Sequence, residues 1–115
     1  MTASKKNKII LDNEAQEIRE RLIEAASQRK ILTYSDLVSD DDDRHMNKLS
    51  KTLAKISCFE RNEDRPFLCA IVVQKETGYP GTGFFVLCAD LGIDKEVEEL
   101  QEECFVYWER ILKNN

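Results

Sequence analysis

The chain has 115 residues, of which 42% are hydrophobic and 34% charged, and its net charge is −5. This composition is typical of one globular domain, and no apolar run approaches the roughly 18 residues of a membrane-spanning helix. We therefore expect a single domain over residues 1–115, with residues 1–12 as a flexible arm. The basic N-terminus leads into no long apolar segment, so we expect no signal peptide and a cytoplasmic location.

The charge is unevenly distributed along the chain. Residues 31–43 hold five acidic side chains and no basic one, residues 44–75 hold seven basic and three acidic, and residues 76–115 hold three basic and nine acidic. An acidic protein with a basic segment can turn that segment toward a polyanion. The basic segment is therefore the first place to look for a binding surface.

Four cysteines are spread along the chain and form no C-x-x-C pair: Cys58, Cys69, Cys88 and Cys104. Three of them lie within apolar runs. We therefore predict reduced core thiols of a cytosolic protein rather than disulfides or a zinc site.

The first third of the chain predicts a helix, a short extended piece and a second helix. Residues 14–29 repeat apolar side chains at helical spacing after a capping residue, Asn13. Residues 31–33 are extended, and Thr33 with Asp36 forms a capping box that opens a short helix over residues 34–38. Residues 39–43 include four adjacent aspartates, which predicts an exposed loop. Their spacing is not that of a calcium loop, so we expect no metal site.

Residues 44–58 predict a third helix with two distinct faces. Its apolar stripe comprises Met46, Leu49, Leu53 and Ile56. A stripe of cations follows the same spacing and lies roughly opposite: Arg44, Lys48, Lys51 and Lys55. One face is therefore expected to be buried, while the other presents positive charge to solvent.

The centre of the chain predicts a β-hairpin. Residues 67–73 and 83–89 are two apolar runs, joined by a loop that contains Gly78, Pro80 and Gly81. Both faces of such a hairpin would be apolar, so helices must cover it on both sides. A fourth helix follows Asp94, and we expect its apolar stripe, which includes Trp108, to cover one face of the hairpin.

This order of elements resembles a winged helix-turn-helix, in which the third helix enters the major groove and the hairpin is the wing. In detail it is similar to the DNA-binding domain of the O6-alkylguanine DNA alkyltransferases and their alkyltransferase-like relatives. Residues 31–37, I-L-T-Y-S-D-L, resemble the I-T-Y-G-E-L-A segment of that family, and residues 68–73, L-C-A-I-V-V, resemble its P-C-H-R-V-V strand. The R-P-x-L…T-G-x-P-G-x-G-F-F string also resembles that of small uncharacterised bacterial proteins.

The family's catalytic motif is missing. Its reactive cysteine needs a neighbouring histidine to form a thiolate, and Ala70 and Ile71 follow Cys69 here, with Leu68 in place of the proline. The Gly-rich loop over residues 78–83 lacks the Lys-Ser/Thr and the helix of a phosphate-binding loop, which favours a tight turn. We therefore expect no enzyme activity, no cofactor and no metal.

These observations predict a non-catalytic protein that binds double-stranded DNA through the third helix and the wing. The predicted contact residues are Arg44, Asn47, Lys48, Lys51, Lys55, Lys75 and Tyr79. The alternative is a module for a protein partner or a homodimer that uses Phe105, Tyr107 and the acidic C-terminal helix.

Overall fold

The computed structural model describes residues 9–38 and 43–113, with side chains from Asn47 onward in the second range. These ranges form an α+β fold that is mostly helical. The helices are α1 (Asn13–Ser27), α2 (Tyr34–Leu37), α3 (Asp43–Asn62), α4 (Thr82–Leu91) and α5 (Val97–Lys113). Two short strands, β1 (Leu32–Thr33) and β2 (Val72–Val73), and a 3₁₀ turn (Leu68–Ile71) complete it.

The 3₁₀ turn is the centre of the core. All four of its residues are buried, and it contacts α1, α3 and α5. The apolar stripes of α1 and α3 face it, and Leu49, Leu53 and Ile56 are at most 4% exposed. The predicted two-faced character of the third helix is therefore confirmed for its described side chains.

The start of α1 is more ordered than predicted. Leu11 is buried in the core, and the Ala15 N–H donates to Asp12 Oδ1 at 2.8 Å, so Asp12 rather than Asn13 caps the helix. The flexible arm predicted for residues 1–12 therefore does not include Leu11 and Asp12. Residues 1–8 lie outside the described residues, as do residues 39–42 of the predicted aspartate loop.

The capping box at α2 is present. The Thr33 N–H donates to Asp36 Oδ2 at 2.8 Å, and the bonds from Thr33 hold the pKa of Asp36 below its ordinary value. This helix of one turn is thereby fixed directly after β1.

The predicted hairpin is wrong in its first strand. Within residues 67–73, only Val72–Val73 is a strand, and it pairs in parallel with β1: Leu32 opposes Val72 and Thr33 opposes Val73. The preceding 3₁₀ turn is enclosed by three helices, which leaves no free edge for a neighbouring strand. The apolar character of the run therefore reflects full burial and not a sheet with two covered faces.

The predicted hairpin is also wrong in its second strand, because residues 83–89 belong to α4. Gly92 adopts a left-handed conformation, with φ of 71°, and ends this helix. The Gly92 N–H donates to Ala89 O and the Ile93 N–H to Cys88 O, which satisfies carbonyl groups of the last turn. A short run that is apolar on all sides fits a helix as well as a strand, and here the glycine cap decides.

Helix α5 covers a different surface from the one predicted. It packs along α1 and against the 3₁₀ turn. Trp108 is buried, as predicted, and its ring lies 5.7 Å from the Arg19 guanidinium of α1 rather than against a hairpin. With residues 83–89 helical, the surface that α5 was expected to cover does not exist.

A buried carboxylate connects α1 to the end of α3. Glu60 is 0% exposed and is bonded by the guanidinium groups of Arg19 and Arg65. Both guanidiniums also lie over the Phe59 ring, at 5.3 and 5.5 Å from its centroid. The charge of Glu60 is thus neutralised by two cations that an aromatic ring holds in place.

The four cysteines are free thiols, as predicted; three are buried and Cys58 is half-buried. No helix in the described ranges combines the length and the apolar character that crossing a membrane requires.

Candidate nucleic-acid interface and adjoining cavity

The outer face of α3 carries most of the predicted DNA-contacting residues. Asn47, Lys48, Lys51 and Lys55 are all exposed. Lys48 Nζ lies 3.1 Å from Glu14 Oε1, whereas Lys51 and Lys55 form no ion pair with a carboxylate of the described residues. The Arg44 side chain lies outside the described part of the chain, although its backbone belongs to α3. The structure therefore groups Asn47 and three lysines on one accessible helix face.

The other two predicted contact residues lie on the connection between β2 and α4. Lys75 is exposed. Tyr79 is 48% exposed, but its hydroxyl donates to Glu98 Oε2 of α5 at 3.0 Å, and this bond raises the pKa of Tyr79. Tyr79 is thus tied to the acidic helix and not to α3. The expected wing is replaced by this short connection because α4 is not a strand.

A cavity of about 440 Å³ lies between α3 and the start of α4. Lys51 and Ser50 line it from α3, Thr82 from α4 and Gln74 from the connection after β2. The residues that line it include no aspartate or glutamate. The cavity therefore adjoins the cationic face of α3 and has no negative side chain of its own.

Three polar groups meet at the rim of this cavity around Gly81. The Gly81 N–H donates to the Tyr34 hydroxyl at 3.0 Å. A Cβ atom at Gly81 would lie 3.1 Å from Gln74 Nε2 and 3.2 Å from Tyr34 Oη, closer than ordinary contact, so glycine allows the two side chains to approach. Burial raises the pKa of Tyr34 above its ordinary value, so the hydroxyl retains its proton as a hydrogen-bond donor.

Sequence reasoning did not identify the Tyr34–Gly81–Gln74 cluster. In the sequence, Tyr34 stands out only through the I-L-T-Y segment, and Gly81 only as a turn residue. The one available signal was the Pro80-Gly81 pair just before an apolar run, which can mark a helix start as well as a turn. The parallel pairing of Thr33 with Val73 and the bond from the Gln74 N–H to Tyr79 O hold the turn that contains Gly81 beside Tyr34.

Cys69 also lines the cavity, but its environment does not activate the thiol. Cys69 is 5% exposed, and burial raises its pKa to about 12. Its N–H donates to Ser57 Oγ at 3.0 Å. A thiol in this state is a poor nucleophile at neutral pH.

Helix α4 exposes apolar side chains to solvent. Only Phe84 and Cys88 are buried among its ten residues, whereas Phe85 is 46% and Val86 54% exposed. The two aromatic residues of α5 that were predicted to contact a protein partner, Phe105 and Tyr107, are less exposed than these side chains of α4. Phe105 is half-buried under the Arg29 guanidinium at 5.8 Å, and Tyr107 packs edge-on against Trp108.

Within the described residues, no three His, Cys, Asp or Glu side chains lie close enough together to hold a metal ion. Comparison with known protein families, with characterised proteins and with solved structures finds no match for this chain.

Proposed function

We propose that this chain binds double-stranded DNA without catalysing a reaction, and that the exposed face of α3 makes the contact. The observation that carries the proposal is the pair Lys51 and Lys55, one helical turn apart and without a described carboxylate partner. Successive lysines on one helix face can each neutralise a phosphate along a groove. Asn47 and Ser50 are exposed on the same helix and could reach base edges.

The order of elements supports α3 as the recognition helix. Helix α1, strand β1, helix α2 and helix α3 follow one another as in the helix-turn-helix half of a winged-helix domain. The hairpin wing is not part of the proposal. In its place, Lys75 on the connection after β2 adds one exposed cation.

The charge distribution also supports this surface. The ion pair between Lys48 and Glu14 joins two side chains that are 66% and 59% exposed. Exposed pairs of this kind contribute little, so a phosphate can replace Glu14 at small cost. The acidic residues of the C-terminal segment lie mostly on α5, which packs on α1 and the 3₁₀ turn. The four free thiols fit the reducing cytoplasm, which is the location we propose.

Salt dependence of duplex binding tests the proposal. Fluorescence anisotropy with a labelled random duplex should give a log–log slope of about −2.7 against salt if three lysines each neutralise one phosphate at about −0.9 per contact. Lys51→Glu with Lys55→Glu should weaken binding to all sequences alike and flatten the slope, because phosphate contacts do not select bases.

A matched control distinguishes the effect of the lysines on α3 from the effect of the net charge. Lys30→Glu with Lys113→Glu changes the net charge by the same amount at exposed lysines outside α3, and it should leave most of the binding intact. Absence of duplex binding at low salt would overturn the proposal. An equal loss of binding in both double variants would do so too, because it would show that only the total charge matters.

The exposed apolar face of α4 favours a second candidate, a homodimer. Phe85 and Val86 are both about half exposed on a helix that carries one charged side chain, Asp90. Sedimentation analysis should then show a dimer that Phe85→Ser with Val86→Ser converts to a monomer. Val106→Ser with Ile111→Ser, which changes exposed apolar positions on α5, is the control and should leave the dimer intact. A wild-type monomer at high concentration would exclude this candidate.

A further inference from the structure

The cavity between α3 and α4 has the size and the mixed lining of a small-molecule site. Its volume of about 440 Å³ falls within the range of roughly 300–1,000 Å³ that is typical of ligand pockets. Such pockets combine apolar walls with a few polar groups that converge on one point. Both parts are present here, and the proposed DNA contact shares only Ser50 and Lys51 with this lining.

The polar groups converge at one end of the cavity and are donors. The Tyr34 hydroxyl accepts from the Gly81 N–H, and no described group accepts its own proton. The Gln74 side-chain amide lies beside it and forms no hydrogen bond with a described residue. The Tyr34 hydroxyl and the Gln74 Nε2 amide are therefore two donors that lie together at this rim without a described acceptor.

The charge that lines the cavity is positive. Lys51 lines the cavity, and the lining contains no carboxylate that could neutralise it. The first turn of α4 adds backbone N–H groups, because its N-cap is Gly81, which has no side chain to bond them. The partial positive charge of this helix end adds to the charge of Lys51 and to the donors of Tyr34 and Gln74. An oxygen anion is the ligand group that all of these would stabilise together.

Apolar side chains line much of the remaining cavity, beside the hydroxyl groups of Ser50 and Thr82. Leu53 and Ala54 form its wall on α3, and Phe84 and Leu87 form its wall on α4. A single lysine matches one negative charge, whereas a phosphate dianion would call for further cations. The apolar walls in turn require a hydrophobic body attached to the charged group.

We propose that this cavity binds a small carboxylic acid with an aromatic or branched aliphatic body. The carboxylate lies at the Lys51, Tyr34 and Gln74 end, and the body packs between Leu53 and Leu87. Lys51 belongs to both proposed sites, but this proposal does not depend on DNA binding, because its ligand occupies the space between the helices and its test uses no DNA.

Amide spectra with three probe molecules test the proposal: phenylpropionate, its neutral amide phenylpropanamide, and acetate. We expect phenylpropionate at millimolar concentration to shift the amide resonances of Gly81, Thr82 and Gly83, which lie at the charged end. The neutral amide should bind at least about tenfold more weakly, because it lacks the charge-assisted bonds to Lys51. Acetate, which has no apolar body, should bind more weakly still.

Variants locate the site. Lys51→Gln should weaken phenylpropionate binding about tenfold, whereas Lys30→Gln, which removes the same charge outside the cavity, should leave it unchanged. Ala54→Phe should fill the cavity and abolish binding. Lys51→Gln changes an exposed side chain, so it remains informative if Ala54→Phe does not fold.

Three outcomes would overturn the proposal. One is the absence of any shift at Gly81–Gly83 with phenylpropionate. The second is equal binding of the acid and its neutral amide. The third is an equal loss of binding in Lys51→Gln and Lys30→Gln.

Discussion

Neutralising Glu60 should strongly destabilise the fold. Glu60 is fully buried and accepts hydrogen bonds from both Arg19 and Arg65. Glu60→Gln keeps the size of the side chain but removes the negative charge, which leaves two guanidiniums that are only 22% and 20% exposed. Hydrogen bonds to charged groups contribute about 1.5–3 kcal/mol each, and part of this is regained from water at the exposed edges. We therefore expect a loss of about 3 kcal/mol, close to the lower range for breaking a buried ion pair.

Urea denaturation measures this loss directly. With a slope of about 1.5 kcal/mol/M, a loss of about 3 kcal/mol lowers the midpoint by about 2 M. The control is Glu102→Gln, which removes a charge of the same kind from a carboxylate that is 57% exposed and pairs with exposed Arg29. This control should have the same urea midpoint as the wild type, because exposed ion pairs contribute little to stability.

The outcome that contradicts this reasoning is equal stability of the two variants. Glu60 would then be solvated in solution, and the contact between α1 and the end of α3 would not depend on it. A double variant, Glu60→Gln with Arg65→Gln, adds a further check. The Arg65 substitution should cost less in the Glu60→Gln background than in the wild type, because the two side chains interact directly.

Three further predictions follow from buried or capped groups. Trp108→Ala should lower the free energy of unfolding, measured in urea, by about 3–5 kcal/mol, as large aromatic truncations do. Trp108→Phe should lower it far less, because it keeps an aromatic ring and removes a buried N–H that has no partner among the described residues. Cys69 should react slowly with thiol reagents in the native state and rapidly in urea, and fast native labelling would contradict its burial. Asp36→Asn should destabilise the protein at neutral pH and have no effect in acid. The pKa of Asp36 is lowered in the folded state. Its contribution to stability is therefore present above the pKa of the unfolded state and is lost as the pH falls through the pKa of the folded state. A destabilisation that is constant across this pH range would show that the charge is irrelevant.

The long amphipathic helices could be predicted from the sequence because their two faces differ. In α3, buried Leu49 and Leu53 alternate at helical spacing with exposed Lys48, Lys51 and Lys55. Only a helix brings all the apolar side chains of such a pattern onto one face that can be buried. The exposure of the lysines on α3 follows from the same pattern, so this part of the candidate interface was predictable too.

The centre of the chain could not be predicted in this way because it is apolar in every direction. Residues 83–89 carry no charge that would mark an exposed face, and periodicity cannot then distinguish a helix from a strand. The outcome depends on tertiary contacts and on the cap at Gly92. The cavity was missed because Tyr34 and Gly81 are 47 residues apart and meet through the parallel pairing of β1 with β2, a long-range contact that no local pattern indicates.

The helical state of α4 also has a consequence for the fate of the chain under stress. As a helix, its apolar segment bonds most of its backbone amides internally. Unwound, residues 83–89 become an uncharged segment without proline that includes Phe84, Phe85 and Val86, which is the composition of strands that stack between chains. Heating or destabilising substitutions near Gly92 should therefore produce β-rich aggregates that begin at this segment. The same residues thus stabilise the native core in one conformation and seed insoluble assemblies in another.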